Sequence, residues 1–223
     1  TPSSRRYTAV ADAELLLKGP KHQRRWPLPP LPAGVSPALI SFVASRFLKI
    51  KPTIISAGLL QIPPFPHVCL EPSDTGPAGC LSSGNAMDTS RVELLFDSGF
   101  EIGKKLRQPV LITECVPGGT STALAVLSGL GINVNGLVSG SDKNPPSELK
   151  IKLVNQGLKA AKLKKNPSAI DIMAAVGDPF QPIAVGLLMG ARESGQEILL
   201  GGGCQMLAVL ALALNEIEPE SRS

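Results

Sequence analysis

Aromatic side chains are scarce in this sequence. They make up 4% of its 223 residues, so any interior has to be built from aliphatic side chains and alanine. Histidine occurs only as His22 and His67, and the cysteines Cys69, Cys80, Cys115 and Cys204 form no Cys-x-x-Cys pair. The usual zinc spacings are therefore excluded. Scattered thiols beside apolar residues read as reduced cysteines of a cytoplasmic protein. Charge of one sign is also in short supply: 22 Lys and Arg against 18 Asp and Glu leave a net charge of +4. That is too mild for a nucleic-acid face, and no aromatic-interleaved basic module accompanies it. The densest basic stretches, 18–25 and 159–165, read as solvated surface. One charge-free apolar run, 198–214, is broken by Gly201-Gly202-Gly203. It reads as strand, glycine turn and buried helix, not as a membrane span.

Several named motifs are missing too. No GxxxxGK[ST] occurs, which excludes a P-loop nucleoside triphosphatase. No GxGxxG follows a strand, and no GxSxG marks a nucleophile elbow. No Asp-Asp pair precedes a glycine turn, so the oxygen ligands of a magnesium-pyrophosphate site are absent. His67 lies among Pro63, Pro64 and Pro66 with no partner for a triad, and reads as a loop residue.

What is present is an apolar chain, 43% hydrophobic, cut into short pieces by 22 Gly and 21 Pro. Residues 13–17 could form a strand ended by Gly19-Pro20, and residues 26–37 form a proline-rich connector. Pro37 opens a helix whose Leu39, Ile40, Val43 and Phe47 recur at helical spacing. Strands are predicted at 53–57, 110–113, 134–138 and 197–200, and residues 61–85 form a long irregular segment. Helices are predicted from Thr89 through Lys105, over 120–130, from Ser147, over 169–176, over 182–193 and over 204–214. Short strands, apolar on both faces and separated by helices, predict an α/β domain with a Rossmann-like parallel sheet covered on both sides. The expected division is an N-terminal segment and connector at 1–50, part of a small second domain, then a nucleotide-binding domain at 51–216 and a tail at 217–223.

In parallel sheets, ligands bind beyond the carboxyl ends of strands. The richest such end is Thr113-Glu114-Cys115-Val116-Pro117-Gly118-Gly119-Thr120-Ser121-Thr122. Gly118 and Gly119 let backbone N–H groups approach an anion, and Thr120, Ser121 and Thr122 add hydroxyl donors at a helix N-terminus. An ordinary N-cap needs a single hydroxyl, and three after two glycines point to a phosphate-gripping turn. Without metal-ligand carboxylates, a monophosphate is the expected guest. Glu114 stands one residue past the strand, where it could cap a helix or meet a ribose or a protonatable ring. Lys150 falls in the first turn of its helix, where a cation opposes the helix dipole, and so makes more sense facing an anion.

The segment 114–124, ECVPGGTSTAL, resembles the phosphate loop of nicotinate-nucleotide:dimethylbenzimidazole phosphoribosyltransferases, and more closely that of their archaeal and cyanobacterial relatives. Supporting stretches are Ala86-Met87-Asp88, SGSDKNP at 139–145 running into Glu148-Leu149-Lys150, AAVGD at 174–178, and LGGGCQM at 200–206. The resemblance implies transfer of phosphoribose from nicotinate mononucleotide to a benzimidazole or purine base, giving an α-ribazole-type phosphate for the lower ligand of cobamides. Nicotinate leaves from a cationic pyridinium, so no metal or other cofactor is implied. The implied partners are the small nucleotide and base, with no nucleic acid or membrane, and the implied assembly is a cytoplasmic homodimer. By the match, Gly118, Gly119, Thr120, Ser121 and Thr122 would bind phosphate, and Glu114 would lie near the ribose or nicotinate. Lys150 would reach the phosphate, within its own chain or across the dimer, and Ser139, Gly140, Gly202 and Gly203 would border the cavity. The glutamate general base of the family has no counterpart in the chain, which therefore reads as a fragment. Ser56 also stands where relatives often carry aspartate. The alternative is a non-catalytic nucleotide-binding protein that keeps the fold.

Overall fold

The structure is a computed structural model that describes residues 6–28, 34, 36–140 and 144–217. Pro29, Pro30 and Pro32 of the connector, Ser141, Asp142 and Lys143 of the polar loop, and the tail from Glu218 lie outside the described residues. The helices are α1 (Thr8–Lys18), α2 (Pro37–Phe47), α3 (Thr89–Lys104), α4 (Gly119–Gly129), α5 (Ser147–Ala161), α6 (Ala169–Val176), α7 (Phe180–Glu193) and α8 (Cys204–Ile217). The strands are β1 (Ile55–Ser56), β2 (Val68–Cys69), β3 (Val110–Ile112) and β4 (Ile198–Leu200). Each of the pairs β1–β2 and β3–β4 is parallel. The α/β class with parallel pairing is thus as expected, with helices predominating. No described helix is long and apolar enough to cross a membrane. The run 198–214 resolves into β4, the glycine turn and α8.

The chain divides into two compact units. One runs to Gly76 and takes in Cys115–Pro117; the other holds Pro77–Glu114, Gly118–Gly140 and the residues from Pro146 onward. The first unit contains α1, α2 and the β1–β2 pair. The strand expected at 13–17 is instead the C-terminal half of α1. Its buried residues Val10, Ala11, Glu14 and Leu15 recur at helical spacing, and one buried stripe on a helix outweighs the local β propensity of a few aliphatics. Ser36 caps α2, its hydroxyl accepting from the Ala38 N–H at 3.2 Å and donating to Asp12 Oδ1 at 2.7 Å. Pro37 occupies the first helical position, as expected. The irregular segment 61–85 contains β2, which its flanking prolines conceal in the sequence.

The second unit has the main hydrophobic core. Buried aliphatics and alanines of α4, α6, α7 and α8 fill it, with Val92 of α3 and Val154 of α5. Alanine-rich packing lets helices approach closely, most of all α3 and α7. A Cβ on Gly99 or Gly103 of α3 would come within 2.2 or 2.3 Å of α7 backbone oxygens, and one on Gly186 or Gly190 of α7 within 2.0 or 2.1 Å of α3 backbone oxygens. Only glycine fits such a backbone-to-backbone contact. The strand expected at 134–138 is a turn. Asn135-Gly136 breaks the run, the Leu137 N–H closes onto the Val134 carbonyl at 3.0 Å, and Leu137 is exposed. Ser168 does start α6, in a reciprocal capping box with Asp171.

Candidate functional site

Every residue singled out as a candidate lies in the second unit. β3 and β4 run parallel with Ile112 opposite Leu200, and the Gly201 N–H donates to the Ile112 carbonyl at 2.8 Å. Their carboxyl ends are therefore side by side. From β3 the chain passes Glu114, which is exposed, and reaches α4 through Gly118. From β4 it passes Gly202 and Gly203, both exposed, and enters α8. The arrangement sets two glycine turns, each opening a helix, at one sheet edge.

Gly118 adopts φ 87°, the left-handed conformation that favours glycine, and immediately precedes α4. The Ser121 N–H folds back to the Gly118 carbonyl at 2.8 Å. The N–H groups of Gly118, Gly119 and Thr120 find no acceptor among the described residues. These are the orphan donors of a helix N-terminus, and with the positive end of the helix dipole they favour an anion. Six of the eleven residues of α4, Gly119 and Ala123 through Leu127, are buried, so the turn stands on a rigid base.

Lys150 is 9% exposed and projects to this turn from the first turn of α5. Its ammonium donates to Thr120 Oγ1 at 2.9 Å and to the Ser139 carbonyl at 3.1 Å. Among the described residues it meets no carboxylate. An ammonium carries three N–H donors, and a buried cation held only by neutral oxygens is undercompensated. The fold thus brings Lys150, Thr120 and Ser139 together within one chain. Gly140 follows Ser139 at the limit of the described residues.

Thr122 faces inward. Its hydroxyl donates a short hydrogen bond to Asp178 Oδ2 and lies 3.1 Å from the Gly119 carbonyl. Asp178, Gln181 and Gln205 complete a buried polar network that sequence reasoning missed. Gln205 Nε2 donates to Asp178 Oδ2 at 2.7 Å and to Thr122 Oγ1 at 3.3 Å. Gln181 Nε2 donates to Gln205 Oε1 at 2.9 Å, and its Oε1 accepts from the Asp178 N–H at 3.2 Å. Asp178 Oδ1 accepts from the Phe180 N–H at 3.1 Å, at the start of α7. Burial pushes the Asp178 carboxyl above the usual carboxylate range; hydrogen bonds from Thr122, Gln205, Phe180 and Gln181 pull the other way. The available signal was Gly177-Asp178-Pro179 between two apolar helical runs, where an Asp can accept from the next helix's first N–H groups.

A family model described as phosphoribosyltransferase matches residues 43–223. The UPF0284 protein of Prochlorococcus marinus strain MIT 9313 is 58% identical over all of this chain, and UPF0284 protein SYNW1869 of Parasynechococcus marenigrum strain WH8102 is 55% identical. The chain spans 55% and 56% of the lengths of those relatives. In fold it is similar to CobT from Thermus thermophilus, at TM-score 0.71 and 17% identity over 97% of this chain and 60% of that one. A second structure, of nicotinate-nucleotide-dimethylbenzimidazole phosphoribosyltransferase from the same organism, matches at TM-score 0.59 and 18% identity over 78% of this chain and 52% of that one. On the extent of the family match, together with a shared fold, the chain belongs to the phosphoribosyltransferase family.

Proposed function

We propose that the protein transfers phosphoribose from nicotinate mononucleotide to a benzimidazole or purine base, and that the start of α4 holds the nucleotide's 5′-phosphate. The observation that carries this reading is the buried Lys150 ammonium beside unmet N–H donors at a helix N-terminus. A phosphate there would accept from the backbone of residues 118–120, from the hydroxyls of Thr120 and Ser121, and from the third N–H of Lys150. Glu114, at the end of β3, is assigned to the ribose or nicotinate; Ser139, Gly140, Gly202 and Gly203 border the same cavity. Residues 51–216 form the nucleotide-binding domain in this reading.

The chemistry follows from the substrate. The C1′–N bond to the pyridinium breaks, and its electron pair neutralises the ring nitrogen as nicotinate leaves. A ring nitrogen of the acceptor base forms the new C1′–N bond from the opposite face, and its other nitrogen gives up a proton to a general base. Family membership and the fold shared with a nicotinate-nucleotide enzyme support the class of reaction. The same reading makes the protein a cytoplasmic homodimer.

Full-length protein incubated with nicotinate mononucleotide and a panel of bases, adenine included, tests the reading through nicotinate release. The expected result is release coupled to formation of a base ribotide. No release with any base would contradict transfer. Tight nucleotide binding without turnover would instead assign the protein a binding role on the same turn.

A further inference from the structure

We infer that Asp178 is a positioning residue for the nucleotide turn: through Thr122 and Gln205 it fixes the first turns of α4 and α8 to each other, and residue 178 must be an acceptor on every side-chain atom to do so. The inference rests on the proposed phosphate role of α4 and adds Asp178 and Gln205, neither of which is assigned to the phosphate.

The hydrogen-bond directions in the network are set by two backbone N–H groups that cannot flip, those of Asp178 and Phe180. The Asp178 backbone N–H donates to Gln181 Oε1. That fixes the Gln181 amide, whose Nε2 must then donate to Gln205. Gln205 therefore presents Oε1 to Gln181 and Nε2 to Asp178 and Thr122. The atom that receives Nε2 has to be an acceptor, and Oδ2 also takes the Thr122 hydroxyl proton. An asparagine at 178 would set its NH₂ against the Phe180 N–H in one orientation and against the Gln205 NH₂ in the other. Rotating both amides to relieve that clash passes the conflict along to the backbone N–H of residue 178, where it cannot be resolved. A carboxylate is the side chain of this size that satisfies the whole network.

The position is a demanding one for stability alone. Asp178 is 5% exposed, and all its side-chain partners among the described residues are neutral. A buried carboxylate without a cation costs stability at neutral pH, where apolar packing of the same volume would not. What the carboxylate supplies is geometry. Thr122 lies in the first turn of α4, and Gln205 is the second residue of α8. Both adjoin the glycine turns that leave β3 and β4, so one side chain sets the spacing of two helix N-termini at the sheet edge.

Nicotinate mononucleotide binding by calorimetry, with thermal melting on the same full-length samples, tests this in wild type, Asp178→Asn, Thr122→Val and Thr122→Ser. Asp178→Asn and Thr122→Val should each weaken binding by the folded protein about tenfold or more, the loss expected for one misplaced charge-assisted contact. Thr122→Ser, which keeps the hydroxyl, should bind within about twofold of wild type. A purely structural network would lower the melting temperature and leave the affinity of the folded fraction unchanged; that result would overturn the inference while the phosphate reading stands. Equal losses in Thr122→Ser and Thr122→Val would overturn it too, by pointing to packing of the methyl group. If Asp178→Asn does not fold, the Thr122 pair decides between these results. If wild type binds no nucleotide, the proposed function fails first and the inference falls with it.

Discussion

At the end of β1 the chain runs Ser56-Ala57-Gly58; at the end of β3 it runs through residues 113–118 into α4. Both ends belong to parallel strand pairs, and both use a glycine with positive φ, 63° at Gly58 and 87° at Gly118. Beyond Gly58 comes a long stretch without α-helix, up to Thr89. The Gly58 N–H is already held by Glu71 Oε1 at 2.7 Å, so an internal carboxylate sits where an anionic guest would have to bind. Beyond Gly118 an eleven-residue helix begins at once, its leading N–H groups unmet among the described residues and a buried ammonium beside them. A strand-end glycine therefore does not make an anion site. The helix that follows, and the donors left unsatisfied, decide it.

The largest expected effect comes from removing the α4 hydroxyls. Thr120→Ala with Ser121→Ala should weaken nicotinate mononucleotide binding by ~1.5–3 kcal/mol for each phosphate hydrogen bond lost, and unchanged affinity by calorimetry would count against the grip. Next, Lys150→Met removes the ammonium and should cost about 10- to 100-fold in affinity. Because the buried charge has no carboxylate to abandon among the described residues, the variant should melt close to wild type; a collapsed melting temperature with intact binding would reverse the assignment. Gly118→Ala forces a Cβ into the left-handed region at ~1–2 kcal/mol of stability and should also weaken binding several-fold. Gly58→Ala carries a similar strain and should lower stability alone. The smallest effect belongs to Glu71→Gln, which should leave nucleotide affinity unchanged; a gain in binding there would show that the two strand ends differ less than their geometry implies.

Much of this site could be read in the sequence because its chemistry is local. Adjacent glycines followed by hydroxyls after an apolar strand specify a turn and a helix start within ten residues. Lys150 was legible for a related reason, since a lysine in a first helical turn conflicts with the dipole until something anionic is supplied. Asp178 was not legible as part of the site. Its role depends on Thr122 and Gln205, which lie 56 and 27 residues away in sequence. The departures in fold have the same origin. Leu15 and its neighbours look strand-like over five residues, and only burial along one face of α1 settles them as helix. Val134 and Val138 carry strand propensity, but Asn135-Gly136 between them turns the chain. β2 is two residues long and exists through its pairing with β1, which no local pattern encodes.

The central claim is that the start of α4 holds a nucleotide phosphate. A crystal structure of the full-length protein with nicotinate mononucleotide bound tests it most directly. The expected result is a 5′-phosphate within hydrogen-bond distance of the Gly119 and Thr120 N–H groups and of Lys150 Nζ, with the ribose turned toward Glu114. A nucleotide bound elsewhere, with those donors still unmet, would contradict it.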